Sequence, residues 1–342
     1  MRISRMRLVV VLAAMFAAAV DSGAKPVKSA LSVCATTPEL ASLVRAVGGD
    51  EVEVSTLAGG VEDPHAVTPS PALAASLRRA RLLVVNGLGL EDRWLPVLLA
   101  QGASTSLRPG GRGYLDASRA VQAMEVPEDD AARAAAGTHP LGNPHYLLDP
   151  VNGLRVADAI RAALEALRPG SRRALTERYE AFRARLGAAM VGQRLASKYP
   201  VDKLADLYAS GRLEAFLEAQ HERALLEGWF ASRPESTTTR VIADHDVWPY
   251  FARRFHVSVQ GALEPRCGVS PTRAHAKELL AMMRRGTDEP ILSLPYFHSD
   301  EIGFVAKGSG SRVVPVAHQA GARPGTGDYV DLIDYDLRAL AP

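Results

Sequence analysis

Residues 51–87, EVEVSTLAGGVEDPHAVTPSPALAASLRRARLLVVNG, carry the pattern that decides the fold. EVEVSTL reads as a strand, PALAASLRRA has the apolar spacing of a helix, and RLLVVNG is a short apolar run of strand length. Ser70 and Pro71 mark the helix start. A serine oxygen can accept from the unpaired N–H groups of the first turn, and proline at the first helical position gives up an N–H that has no partner there. Two strands separated by a helix-length segment form a parallel βαβ unit. The loop between the first strand and the helix, VEDPHAVTP, holds a histidine, His65, between prolines.

The same alternation extends in both directions. Upstream, ALSVCA leads into TPELASLVRAVGG, where Thr37 can cap, Pro38 can start and Gly48 and Gly49 can stop a helix; downstream comes LEDRWLPVLLA. SRRALTERYEAFRARLGAAMVGQRLA is helical in period and longer than an ordinary helix, which suits a spine between two lobes. After a second helical stretch, VDKLADLYASGRLEAFLEAQHERALLEGWF, strands return in RVIADH, FHVSVQG, EPILSLP and SRVVPVA. The expected organisation is therefore an α/β protein of two lobes with parallel sheets. The expected divisions are a signal peptide at 1–24, an N-terminal lobe at 25–168, a linking long helix at 169–198, a helical segment at 199–239 and a C-terminal lobe at 240–342.

Composition agrees with a chain of more than one domain. The 342 residues are 47% hydrophobic with a net charge of +2, enough for a large core and without an electrostatic case for binding nucleic acid. The opening MRISRMR, then LVVVLAAMFAAAV, then the small residues Ser22 and Ala24, reads as a secretory signal cut after Ala24. The other reading of that segment is an uncleaved anchor. No cysteine follows the apolar run closely enough for a lipid anchor, so a soluble periplasmic protein is expected. The two cysteines, Cys34 and Cys267, have no zinc or redox spacing and read as separate free thiols.

Four of the nine histidines draw the eye by position. His65 follows EVEVSTL, His145 lies in NPHYLLDP ahead of a helix that begins near Pro150, His245 follows RVIAD, and His318 follows RVVPVA. Open α/β sheets bind ligands beyond the carboxyl ends of their strands, so two imidazoles from each lobe can converge on the cleft between them. Imidazole nitrogen suits zinc, whose tetrahedral shell needs three or four ligands from separate segments. One loop histidine alone is more often a surface or capping residue.

VEDPHAVTPSP, NGLGLEDRWL, GNPHYLLDP, DHDVWPYFARRF, EPRCGVSPTRAH and YVDLIDYDL occur in this order over nearly the whole mature chain. The series resembles the metal-binding receptors of ABC-type zinc and manganese importers. The resemblance implies two α/β lobes bridged by a rigid long helix, with the metal site in the cleft. It implies that His65, His145 and His245 are ligands of a divalent ion handed to a permease in the cytoplasmic membrane, by a protein that catalyses no reaction and acts as a monomer. The family's fourth ligand is usually an Asp or Glu. Here VVPVAHQAG offers His318 instead, with His298 in reserve. An all-histidine set points to Zn2+ as the transported ion ahead of Mn2+ or Fe2+. A zinc hydrolase and a metal-associated surface adhesin are the alternatives, the first without an HExxH-type helix to support it.

The remaining features have plainer readings. Gly87 and Gly89 are turn residues, since the third glycine of a dinucleotide fingerprint is absent. Trp248, Tyr250 and Phe251 pack beneath His245. Asp244 and Asp246 are candidates to orient the His245 imidazole, and Asp149 to cap its helix and hold His145. His139 and the acidic residues Glu128, Asp129 and Asp130 occupy the segment where such receptors carry a histidine-rich loop. The segment is poor in histidine here and reads as disordered and without function.

Overall fold

The computed structural model describes residues 29–129, 139–264, 270–286, 289–297 and 300–341. The expected signal segment, Cys267 and His298 lie outside the described residues.

Two four-stranded parallel sheets form the frame. In the first, β1 (Leu31–Ala35), β2 (Val52–Thr56), β3 (Leu82–Val85) and β4 (Tyr114–Asp116) lie in the order β2-β1-β3-β4. In the second, β5 (Thr239–Ala243), β6 (Val257–Ala262), β7 (Ile291–Ser293) and β8 (Val313–Pro315) lie in the order β6-β5-β7-β8. The topologies are equivalent. In each, the chain leaves the central strand on one side and returns on the other, so a crevice opens at the carboxyl ends of β1 and β3 and of β5 and β7. Strands β1 and β3 are covered on both faces, and all four residues of β3 are buried, the apolar-run pattern of a parallel sheet sandwiched by helices.

Helices α1 (Pro38–Gly48), α2 (Pro71–Arg79) and α3 (Leu95–Ala100) join the strands of the first lobe. The Ser70 hydroxyl accepts from the Leu73 N–H and Pro71 opens α2, as the capping chemistry requires. Between the sheets run α4 (Pro150–Leu167), α5 (Arg172–Val191), α6 (Gln193–Lys198), α7 (Val201–Ala209), α8 (Leu213–Ala219) and α9 (Gly228–Ser232). The second lobe carries α10 (Pro249–Arg254), α11 (Arg273–Met283) and α12 (Asp300–Ser309), and α13 (Tyr329–Ala339) ends the chain. No helix of the described residues is long and apolar enough to cross a membrane.

One apolar cluster runs continuously from Val33 and Leu40 of the first lobe through Leu186, Phe230 and Phe255 to Val241 and Leu292 of the second. Polar contacts pin the lobes together as well. Asp149 caps α4 by accepting from the Val151 N–H at 3.0 Å and is gripped by Arg254 of α10, with Nε on one oxygen and a terminal nitrogen on the other, both at 2.9 Å. Both residues are buried. The expectation that Asp149 also holds His145 is corrected: its carboxylate is taken up by the helix end and by the arginine. Helix α13 returns to the first lobe, where the Tyr329 hydroxyl donates to the Leu147 carbonyl at 2.6 Å and its N–H to the Ser42 hydroxyl at 2.9 Å.

Candidate metal centre

His65 is held from both sides. The Pro64 carbonyl before it accepts from the buried Trp94 indole at 2.9 Å. One oxygen of Asp63 lies 2.9 Å from both the His65 N–H and its Nδ1. A carboxylate at Nδ1 makes that nitrogen the protonated one and turns the Nε2 lone pair toward the cleft. Burial raises the Asp63 carboxyl, but the hydrogen bonds from the His65 ring and backbone N–H outweigh it and hold it below the usual carboxylate range.

His145 follows Asn143, whose side-chain oxygen accepts the His145 N–H at 3.0 Å. The next residue, Tyr146, donates through its hydroxyl to the Asn86 carbonyl at 2.6 Å, and the Asn86 amide donates to the Pro144 carbonyl at 2.9 Å. The carboxyl end of β3 thereby fixes the segment that presents His145.

His245 stands just past β5. The β5–β6 pairing continues one step, with the Leu263 N–H on the Ala243 carbonyl and the Glu264 N–H on the Asp244 carbonyl. This brings the Glu264 carboxylate onto His245 Nδ1, so Nε2 again faces the cleft. Glu264 therefore takes the orienting role expected of Asp244. Asp244 instead accepts the Leu294 N–H and ties the end of β5 to the end of β7, and burial pushes its carboxyl up to about 7. Asp246 contributes its backbone carbonyl, which accepts from the Asn143 amide at 3.3 Å.

These three imidazoles meet. Ligand atoms of His65, His145 and His245 all lie within 4.8 Å of one another, and all three residues are buried. Their ring centroids are 5.3 Å (His65 to His145), 6.4 Å (His65 to His245) and 6.2 Å (His145 to His245) apart. His318 stands outside that trio but beside it, its ring 5.4 Å from His145 and 5.3 Å from Tyr296. It follows β8, where Asp336 accepts the Ala317 N–H at 2.8 Å, and the neighbouring Gln319 donates across the cleft to the Glu62 carbonyl at 2.8 Å. His139 is the residue that sequence reasoning set aside. It is buried, its Nε2 lies 3.2 Å from His65 Nε2, and its ring is 5.6 Å from His145. Its signal in the sequence was only its place six residues before His145, in a segment whose composition reads as loop.

The site is thus a buried pocket of imidazoles drawn from both lobes, two of them backed by carboxylates. That donor set suits a borderline-soft divalent cation, and the carboxylates raise ligand basicity while fixing ring orientation.

Residues 33–197 match the family described as zinc-uptake complex component A, periplasmic. The iron ABC transporter substrate-binding lipoprotein MtsA of Streptococcus pyogenes serotype M1 is 24% identical over 170 residues, covering 48% of this chain and 51% of its own. The chain spans about half the length of that relative. The manganese ABC transporter substrate-binding lipoprotein PsaA of Streptococcus pneumoniae serotype 4 is 24% identical over 220 residues, 62% of this chain and 67% of its own. A crystal structure of ZnuA shares the fold with a TM-score of 0.64 at 20% identity, covering 91% of this chain and 98% of that one. Residues 33–197 thus match the zinc-uptake component family in sequence, and over 91% of its length the chain has the two-lobed α/β fold of the ZnuA structure.

Proposed function

We propose that the protein captures one divalent metal ion outside the cytoplasmic membrane and delivers it to the permease of an ABC importer, acting as a monomer in the periplasm, with Zn2+ as its cargo. The observation that carries this reading is the trio of His65, His145 and His245, drawn from both lobes to within 4.8 Å. The relatives' names span iron, manganese and zinc, so the choice of zinc rests on the donor set. Neutral imidazole favours zinc, whereas manganese is expected to recruit harder carboxylate oxygen.

The trio supplies three ligands, and His318 and His139 are the two candidates for the fourth. Two nitrogens bound at about 2.0–2.1 Å to one tetrahedral zinc stand roughly 3.3 Å apart. The 3.2 Å between His65 Nε2 and His139 Nε2 fits that edge and favours His139. His318, expected from its position after β8, lies next to His145 and is the other.

Elemental analysis of tag-free protein tests the reading: one predominant metal at about one equivalent supports a single closed shell, and sub-stoichiometric mixtures count against it. His318→Ala and His139→Ala, each titrated with zinc, separate the two candidates, because only the true ligand's loss weakens binding strongly. Hydrolysis of ester or peptide substrates by the zinc-loaded protein would point instead to a metal-dependent hydrolase.

A further inference from the structure

Asn143 and Tyr250 meet across the cleft and use nearly all their hydrogen-bonding capacity there. Tyr250 belongs to α10 of the second lobe and is fully buried. Its hydroxyl accepts from the Met124 N–H at 2.8 Å and donates to the Asn143 carbonyl at 3.0 Å. Asn143, also fully buried, donates its own N–H to the Met124 carbonyl at 2.9 Å. Its side-chain amide donates to Glu125 at 3.0 Å and to the Asp246 carbonyl at 3.3 Å, while its side-chain oxygen accepts the His145 N–H. One residue therefore touches the backbone of His145, the neighbour of His245 and the residues at 124 and 125.

His139 hangs on this junction. The Gly142 N–H closes a turn onto the His139 carbonyl at 3.2 Å. Gly142 has φ +105, and a Cβ there would lie 2.8 Å from the Met124 carbonyl oxygen, so only glycine lets the two strands of backbone come this close. Glu125 adopts φ +57, a conformation unusual for a residue with a side chain, and Asn143 holds its carboxylate.

We propose that Tyr250 and Asn143 form a latch between the lobes that keeps the His139 imidazole beside His65, and that this latch sets how slowly a bound ion leaves although neither residue touches it. The proposal rests on the metal-receptor reading above. Its physical basis is that hydrogen bonds weaken steeply with distance and angle, so separating the lobes breaks the Tyr250 and Asp246 links together and frees His139 from the cleft. Both are positioning residues.

Tyr250→Phe removes only the hydroxyl and keeps the ring that packs edge-on against Tyr146. Release of zinc from the loaded protein into excess chelator, followed by stopped flow, is expected to quicken about tenfold, the size of effect that one lost buried hydrogen bond produces. Zinc uptake by the metal-free protein should change little, and its melting temperature should fall by only a few degrees. In a His139→Ala background the same substitution should change release less than twofold, because the group it positions is gone. Asn143→Asp, which keeps the oxygen facing His145 but loses the amide donor, should also speed release. Unchanged release in Tyr250→Phe overturns the latch, as does an undiminished tenfold effect in the His139→Ala background. A wild-type protein that takes up no zinc overturns the receptor reading itself.

Discussion

Asp149→Asn isolates the electrostatic contribution that holds the two lobes together. Asparagine is as good an N-cap as aspartate, so the bond to the Val151 N–H survives, while the paired charge opposite Arg254 disappears. The guanidinium stays behind, 3% exposed, with Asp206 at 3.4 Å and the Ala205 carbonyl as its other partners. Removing one member of a buried pair costs about 3–5 kcal/mol, because the survivor remains desolvated. The retained hydrogen bond and Asp206 argue for the lower end, a loss of about 3 kcal/mol. Urea unfolding of metal-free protein measures it. The midpoint should fall with an unchanged slope, and Asp149→Asn combined with Arg254→Met should recover part of the loss. A loss below about 1 kcal/mol, the ordinary value of an exposed pair, would refute the claim that this bridge clamps the lobes.

Three further outcomes follow from the same geometry. Burial pushes the carboxyls of Glu39 and Glu91 from 4.5 up to about 7, so the native state holds protons that the unfolded chain releases between these values. Stability of the metal-free protein should therefore be greatest below about pH 4.5 as far as these groups are concerned and fall toward pH 7, by at most about 3 kcal/mol for each, with Glu91→Gln flattening the fall; a rise with pH that Glu91→Gln leaves unaltered contradicts this. Glu264→Gln leaves His245 without a charged partner at Nδ1 and should weaken zinc binding about 10- to 100-fold, the usual range for an outer carboxylate; isothermal titration showing an unchanged constant would remove Glu264 from the site. Zinc affinity should drop steeply as pH falls through about 6.5, since only neutral imidazole binds, and a flat profile from pH 7.5 to 5.5 would point to carboxylate ligands.

Much of this architecture is legible in local chemistry, and the exceptions have physical reasons. The apolar runs around Val33, Val84, Ile242 and Leu292 announce buried parallel strands, and the Ser70–Pro71 and Thr37–Pro38 pairs announce helix starts. Strand β4 escapes because it is three residues long and only half-buried, so YLD carries no period. His65, His145 and His245 are visible because each follows a strand or precedes a cap in a short polar loop, and parallel sheets bring such loops to one edge. His139 and Glu264 are not visible in that way. His139 is brought in by the Gly142 turn onto its carbonyl and by a segment, Met124 and Asn143, that Tyr250 more than a hundred residues away pins in place, and Glu264 by one extra step of β5–β6 pairing; neither leaves a local pattern. Asp244 misleads for the opposite reason: adjacency in sequence to His245 suggests contact, but its carboxylate points along the sheet to the Leu294 N–H.

X-ray absorption at the zinc edge of stoichiometrically loaded protein reads the proposed site, in which imidazoles from both lobes close on one zinc ion. The expected result is a first shell of three or four nitrogens at about 2.0–2.1 Å with the outer-shell scattering of imidazole rings, losing one ring in His145→Ala. A shell of oxygens alone, or one that His145→Ala leaves unchanged, would contradict it.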